Sequence, residues 1–118
     1  MRRLAAKKVY LLAKNIADDL VLLARRTQNQ YLPAVEVAGQ VVDITSKYRI
    51  RLEKLKTRHK LNGEVHQALK TVDAFIRKTA DTAGAFLAQD APPDEMALVL
   101  ESSANSFVNQ ITPVLRSG

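Results

Sequence analysis

Residues 33–59, "PAVEVAGQVVDITSKYRIRLEKLKTRH", establish the fold class, because two sets of side chains recur in them at intervals of three and four residues. The apolar set consists of Val37, Val41, Ile44, Tyr48, Leu52 and Leu55. The polar set consists of Glu36, Gln40, Asp43, Lys47, Arg51, Lys54 and Arg58. Basic residues near the end also alternate with others, as in a strand, but the three preceding turns keep the helical period. The stretch therefore predicts one amphipathic α-helix.

Three breaks separate this helix from three segments with the same period. The first is "QNQYLP" (28–33), whose proline suits a helix start, and the second is "KLNGE" (60–64), with an Asn-Gly pair typical of a turn. The third is "QDAPPDE" (89–95), with two prolines that cannot continue a helix. The chain is therefore predicted to form helices over about residues 4–27, 33–59, 64–89 and 93–115.

Four amphipathic helices of similar length, joined by short connections, predict an all-α fold, an antiparallel up-down-up-down four-helix bundle. A chain of 118 residues is of ordinary size for one domain and shows no linker or repeat, so residues 1–118 are expected to form a single domain. Pro113 should kink or end the last helix, because it lacks the N–H that would bond the carbonyl of Asn109.

Several classes of function find no support in the sequence. There is no cysteine, which excludes disulfide frameworks and thiolate chemistry, and no Gly-rich phosphate loop, nucleophile elbow or His-Glu-x-x-His motif occurs. His59 and His66 have no third ligand at helical spacing, and His66 should lie on the surface. Adjacent Asp18 and Asp19 splay about 100° apart on a helix and should be solvated. We expect no catalytic residue, no cofactor and no metal site.

The N-terminus, "MRRLAAKKVYLLAKNIADDLVLL" (1–23), begins with a basic cluster, as signal peptides and membrane anchors do. Lys14, Asp18 and Asp19 interrupt its apolar residues, so it contains neither an uninterrupted span of about eighteen residues nor an uncharged signal-peptide core. We expect a soluble cytoplasmic protein without integral membrane association.

The positive charge is concentrated in the stretch "KYRIRLEKLKTRHK" (47–60). It holds seven Lys or Arg and one acid, Glu53, whereas the remaining residues hold eleven basic and eleven acidic side chains, so the formal net charge of +6 resides in this segment. Up-down order brings its end to the same pole as the start of the first helix. The residues at and beside this pole that are predicted to contact nucleic acid are Arg2, Arg3, Lys7, Lys8, Arg49, Arg51, Lys54, Lys56, Arg58 and Lys60.

Two interpretations of this pole stay open. Basic residues at a helix C-terminus are mildly stabilising, and charge runs often serve solubility, which favours a solvated face. The macrodipole does not explain Arg2, Arg3, Lys7 and Lys8, because they lie at a helix N-terminus, where it disfavours positive charge. Mutual repulsion costs stability that an anionic partner recovers, which favours an anion-binding pole.

We predict a non-catalytic basic helical adaptor that binds nucleic acid electrostatically through this pole. RNA or a ribonucleoprotein is favoured, with DNA or an acidic protein as alternatives. Contacts should be to phosphates, because Tyr10, Tyr31 and Tyr48 are too few and too scattered to stack bases. In size, charge and architecture the chain is similar to the small basic four-helix-bundle accessory proteins of diversity-generating retroelements. The resemblance includes no shared motif and assigns no residue a role.

The alternative is a protein-interaction or self-assembling scaffold module, whose helix faces dock partner helices or further copies in a homo-oligomer. Leu11, Leu22, Leu98 and Val99 fall off the core stripes and would form such an interface. Single exposed leucines are also ordinary on a monomer. Peripheral binding to anionic lipid would use the same basic pole, but the chain lacks an apolar wedge that would insert.

Overall fold

The computed structural model describes residues 2–58 and 63–116, and four helices account for nearly all of them. The helices are α1 (Arg2–Gln30), α2 (Ala34–Arg58), α3 (Gly63–Ala88) and α4 (Pro93–Arg116). The described ranges contain no strand, and the molecule is elongated, with extents of 45 × 23 × 20 Å. The predicted all-α four-helix bundle is confirmed, and no helix end differs from its predicted position by more than three residues.

Each helix packs against its neighbours in sequence, and α4 closes the bundle against α1. The most extensive interfaces join α1 to α4 and α2 to α3, while the diagonal pairs contact each other least. Short connections make successive helices antiparallel. One end of the bundle therefore contains the start of α1, the end of α2, the start of α3 and the end of α4.

Two helices end at a residue in the left-handed conformation. Tyr31 follows α1 with φ of 53°, and Asp90 follows α3 with φ of 55°. The Asp90 N–H donates to the Leu87 carbonyl at 3.2 Å, and the Ala91 N–H donates to the Phe86 carbonyl at 3.0 Å. This is the Schellman pattern, which satisfies carbonyl groups that a helix C-terminus would otherwise leave unpaired.

Prolines open the helices that follow these ends. The carbonyls of Pro33 and Pro92 accept the first N–H bonds of α2 and α4, at 3.0 to 3.2 Å. A proline costs little at this position, because the first N–H groups of a helix have no partner within it. The predicted breaks at 28–33 and 89–95 are confirmed, whereas most of the break at 60–64 lies outside the described residues.

The apolar stripes of all four helices meet in one core. Its largest fully buried side chains include Ile16, Leu20, Leu23, Leu52, Leu69, Met96 and Ile111. Burial of each such side chain contributes about 1.5–3 kcal/mol relative to exposure. Phe75 of α3 and Phe107 of α4 stack with ring centroids 4.1 Å apart and planes 2° from parallel. The core thus contains residues from every helix and holds the four in register.

Pro113 does not end α4, which continues to Arg116. Of the two effects expected of Pro113, a kink or an end, the end does not occur, and α4 extends one residue beyond its predicted end at about residue 115. A proline removes a single donor, the one for the carbonyl of Asn109, and it lies in the last turn, where few helical bonds remain to be disturbed. One residue earlier, Thr112 Oγ1 donates to the carbonyl of Val108 at 2.6 Å.

Candidate functional site

We call the end of the bundle where α1 and α3 begin, and α2 and α4 end, the basic pole. The cationic side chains that the structure describes at this pole are all exposed. They are Lys7, Lys8, Lys54, Lys56, Arg58 and Lys70. Arg49 and Arg51 are also exposed and lie about two turns before the end of α2. Arg2 and Arg3 belong to the first turn of α1, but their side chains, and all of Lys60, lie outside what the structure describes. The fold thus brings cations of α1, α2 and α3 together.

The opposite pole, where α1 and α3 end, has a mixed charge. Arg25 and Arg26 lie there with the acidic residues Glu36, Asp81, Asp90, Asp94 and Glu95. The described acids of the basic pole are Glu53 and Glu64, and Glu53 lies 3.4 Å from Lys56. The net charge of the described residues is positive at the basic pole and negative at the opposite pole, so the bundle is a charge dipole along its long axis.

A groove runs between α1 and α2 at the basic pole, and we call it the α1–α2 groove. Its lining residues are Lys8, Leu11, Leu12 and Asn15 of α1 and Arg51, Lys54, Leu55 and Arg58 of α2. Within each helix they advance by three and four, which brings them onto one face. The groove opens to solvent and has a volume of about 340 Å³.

Charge and apolar surface meet in this groove. Among its leucines, Leu12 is buried, Leu55 is half-buried and Leu11 is 45% exposed. Among the described residues, no carboxylate lies within ion-pair distance of Lys54 or Arg58. The groove therefore contains positive charge that no described carboxylate neutralises, and it also contains leucine side chains that are partly exposed to water.

A hydrogen-bonded cluster joins α1 to α2 beside the groove. Tyr48 Oη donates to Asp19 Oδ2 at 2.6 Å, and Lys47 Nζ lies 3.1 Å from the same oxygen. The Arg51 guanidinium lies over the Tyr48 ring, 5.1 Å from its centroid. Burial, together with the hydrogen bond to Asp19 and its charge, raises the pKa of Tyr48 to about 12. Asp18 is exposed as expected, whereas Asp19 is only partly solvated, with 31% of its side chain exposed, because side chains of α2 bind it.

A second polar contact between α1 and α2 lies toward the opposite pole. Arg26 Nη2 donates to Gln40 Oε1 at 2.7 Å. Asp19 and Lys47 lie seven residues away from this pair, on α1 and α2 respectively, which is about two turns along each helix. The same antiparallel register, continued to the basic pole, sets which residues face one another across the groove.

The four residues predicted to form a protein interface do not share one environment. Leu11, Leu22 and Leu98 are exposed, by 45%, 56% and 61%. Val99 is half-buried and lines a cavity of about 70 Å³ together with Phe75 of α3. Val99 faces α3 because it lies on the flank of the α4 core stripe, so a partner reaches it less readily than the three leucines.

The chemistry available at the basic pole is that of guanidinium and ammonium donors, which bind phosphate and carboxylate oxygens. In the parts of the chain that the structure describes, no three His, Cys, Asp or Glu side chains form a group that could hold a metal ion. His66 is exposed, as predicted, and His59 lies outside the described residues. Within residues 2–58 and 63–116, no helix combines the length and the apolar character needed to cross a membrane.

Neither the α1–α2 groove nor the bond between Asp19 and Tyr48 is predicted by the sequence patterns above. A signal for the groove is present, since Arg51, Lys54 and Arg58 advance by three and four along the flank of the α2 core stripe. Asp19 and Tyr48 are separated by 29 positions, and no local pattern connects them. The groove could thus have been suspected from the sequence, whereas the hydrogen bond could not.

The basic pole, with the α1–α2 groove in it, is the candidate site because it combines exposed charge with a concave surface. The cations come from three helices and the groove from two, so the assembled bundle is required to form either one. Comparisons of the chain with protein-family models, curated protein sequences and solved structures give no match.

Proposed function

We propose that the protein is a non-catalytic helical adaptor that binds nucleic acid through the basic pole, with RNA or a ribonucleoprotein as the favoured partner. The observation that supports this most is the convergence of exposed cations from α1, α2 and α3 on one end of the bundle. Nucleic acids carry closely spaced phosphates with condensed counterions, and each Lys or Arg that contacts a phosphate releases counterions and gains affinity.

Helix stability accounts for only part of the charge at this pole. Lys56 and Arg58 near the end of α2 agree with the macrodipole, because a helix C-terminus carries partial negative charge. The start of α1 disagrees with the macrodipole, because its first turn contains Arg2 and Arg3 and no acid. Such charges cost about 0.3–1 kcal/mol each at low salt, and an anionic partner would offset that cost.

Part of the positive charge at the basic pole has no ion pair within the described residues. Lys56 Nζ lies 3.4 Å from Glu53 Oε1, whereas no carboxylate of the described residues lies within ion-pair distance of Lys54 or Arg58. Cations without an internal counter-charge keep their full electrostatic attraction for an external anion.

The binding should depend on the phosphate backbone and read little sequence. Tyr48 is only 3% exposed and its ring lies under Arg51, so it offers no face to a base. Tyr31 lies beyond the end of α1 at the opposite pole, and Tyr10 is half-buried against the core. Without an aromatic platform, the polar contacts that remain are those of Arg and Lys with phosphate oxygens.

Fluorescence anisotropy with labelled single-stranded RNA, single-stranded DNA and duplex DNA at physiological salt tests this function. The variant Lys54→Gln/Lys56→Gln/Arg58→Gln removes three charges from the basic pole and should lower RNA affinity about ten- to a hundredfold. The matched control, Arg25→Gln/Arg77→Gln/Lys78→Gln, removes three charges elsewhere and should stay within about threefold of the original protein.

Two results would contradict the proposal. Negligible binding of every probe by the unaltered protein would exclude nucleic acid as the partner at this salt concentration. An equal loss in the pole variant and the control would mean that net charge alone, and not the basic pole, produces the binding.

A protein-interaction or self-assembling module is the second candidate function, and the exposed Leu22 and Leu98 favour it. Size-exclusion chromatography with light scattering, on the original protein and on Leu22→Ser/Leu98→Ser, tests this alternative. An oligomer that dissociates in the variant, from a protein that does not bind RNA, would support it. A monomer in both proteins would contradict self-assembly.

A further inference from the structure

The α1–α2 groove differs from the rest of the basic pole because it is amphipathic. Arg51, Lys54 and Arg58 line it from α2, while Leu11 and Leu55 present apolar surface to it. A ligand held by its phosphate alone would leave that surface in water. The groove therefore fits a ligand in which an anionic group and an apolar face lie close together.

We propose that the groove holds a nucleotide of a single-stranded nucleic acid, its phosphate against Arg51, Lys54 and Arg58 and its base against Leu11 and Leu55. This assignment rests on the proposed function and extends it by specifying that the bound nucleic acid is single-stranded. A single strand exposes the faces of its bases, whereas a duplex covers them by stacking and presents mainly phosphates and sugars. The protein should accordingly prefer single strands to duplexes.

The size and shape of the groove agree with one nucleotide. Its volume of about 340 Å³ lies at the lower end of the range for small-ligand sites, roughly 300–1,000 Å³. The groove opens to solvent, so a strand can continue beyond the nucleotide that it holds. The convex surface of a duplex would meet the cations at the rim but would leave the leucines uncovered.

The cationic side of the groove is partly ordered before a ligand arrives. The Arg51 guanidinium packs over the Tyr48 ring, and Tyr48 is itself held by its hydrogen bond to Asp19. A donor that is already positioned loses less conformational entropy when it binds a phosphate. Across the groove, the Asn15 side chain supplies an amide that both donates and accepts hydrogen bonds.

Leucines give a weaker and less selective base contact than aromatic rings do. Every base has a flat face that can cover an aliphatic side chain, so the contact should tolerate any sequence. Loss of one leucine should therefore change single-strand affinity moderately, by about three- to tenfold.

Anisotropy titrations of labelled single-stranded RNA and duplex RNA of equal length, at the same salt, test this groove with Leu11→Gln. The substitution keeps the charge and nearly the size of the side chain but removes apolar surface, and circular dichroism checks that the fold is retained. We expect single-strand affinity to fall about three- to tenfold and duplex affinity to stay unchanged. Leu22→Gln, exposed on the same helix but outside the groove, should alter neither affinity, and Leu11→Met should bind like the original protein.

The outcomes separate this inference from the function on which it rests. If Leu11→Gln weakens both RNAs equally, or neither, the groove assignment fails while nucleic-acid binding by the pole stands. If the unaltered protein binds neither these RNAs nor the two DNA probes at physiological salt, the proposed function fails and the assignment with it. Binding to phosphatidylserine vesicles that Leu11→Gln weakens, without binding of either RNA, would assign the groove to a lipid headgroup and overturn the proposal.

Discussion

The two ends of the bundle have the same arrangement of helix starts and ends, but they differ in the charges of their side chains. At the opposite pole the helix starts carry acids, Glu36 in α2 and Asp94 and Glu95 in α4, as the macrodipole favours. At the basic pole α1 starts with Arg2 and Arg3 and has no acid in its first turn. The opposite pole thus agrees with the macrodipole at both helix starts, whereas the basic pole agrees with it at the start of α3 and the end of α2 but departs from it at the start of α1. Such local departures are expected where a surface serves binding.

The largest loss of stability should come from truncating core leucines, and it should be the same at both ends because the ends share one core. Leu23 toward the opposite pole and Leu52 toward the basic pole are both fully buried. Leu23→Ala and Leu52→Ala should each lower the free energy of unfolding by about 2–5 kcal/mol, measured by urea denaturation. A loss at one position less than half that at the other would show that the ends differ in packing as well as in charge.

Polar contacts between α1 and α2 should differ in strength between the middle of the bundle, where Tyr48 binds Asp19, and the opposite pole, where Arg26 binds Gln40. Tyr48→Phe removes the donor to the partly buried Asp19 carboxylate and should cost about 1.5–3 kcal/mol, since the bond is to a charged group. Gln40→Ala removes an exposed bond to Arg26 and should cost about 0.5–1 kcal/mol. Urea denaturation of both variants gives the comparison. Equal costs would mean that the Asp19–Tyr48 bond does not dominate the register of these helices.

The same tyrosine should make stability pH-dependent in the alkaline range. The pKa of Tyr48 is about 12 in the folded protein and about 10 for an unperturbed phenol. Because the pKa is higher in the folded protein, protonated Tyr48 contributes fully to the free energy of unfolding below about pH 10. That contribution is lost as pH rises toward 12. Urea denaturation over this range should show a steeper decline for the original protein than for Tyr48→Phe. Parallel declines would contradict the raised pKa.

The smallest effects should have opposite signs at the two ends. Arg2→Gln/Arg3→Gln should raise the free energy of unfolding by about 0.3–1 kcal/mol per residue at low salt, because positive charge is disfavoured at a helix start. Asp94→Asn/Glu95→Gln should lower it by a similar amount. Thermal denaturation at low and high salt measures both effects, and high salt should remove them. The same sign at both ends would contradict the contrast between the poles.

The helices and their core faces follow from the sequence because both depend on residues close together in the chain. The period of three and four along residues 37–55 predicts both the helix and its buried side, and the prolines predict two of the breaks. The surroundings of Asp19 and Val99 depend instead on how far one helix is rotated and shifted against its neighbour. Hydrophobic periodicity does not determine those two quantities.

The candidate site is accessible to sequence reasoning only in part. The concentration of charge in residues 47–60 is visible directly, and up-down topology places it beside Lys7 and Lys8. The α1–α2 groove needs the register of the two helices as well. One interhelix contact, such as that between Arg26 and Gln40, supplies it, and that contact is known only from the folded chain.

The salt dependence of RNA affinity tests most directly the claim that the basic pole binds phosphates. For a single strand, the logarithm of affinity falls with the logarithm of salt concentration by about 0.7 per phosphate contact. Lys54→Gln/Lys56→Gln/Arg58→Gln should therefore reduce the slope by about 2, and Arg25→Gln/Arg77→Gln/Lys78→Gln should leave it unchanged. The same slope for the original protein and both variants would contradict the account.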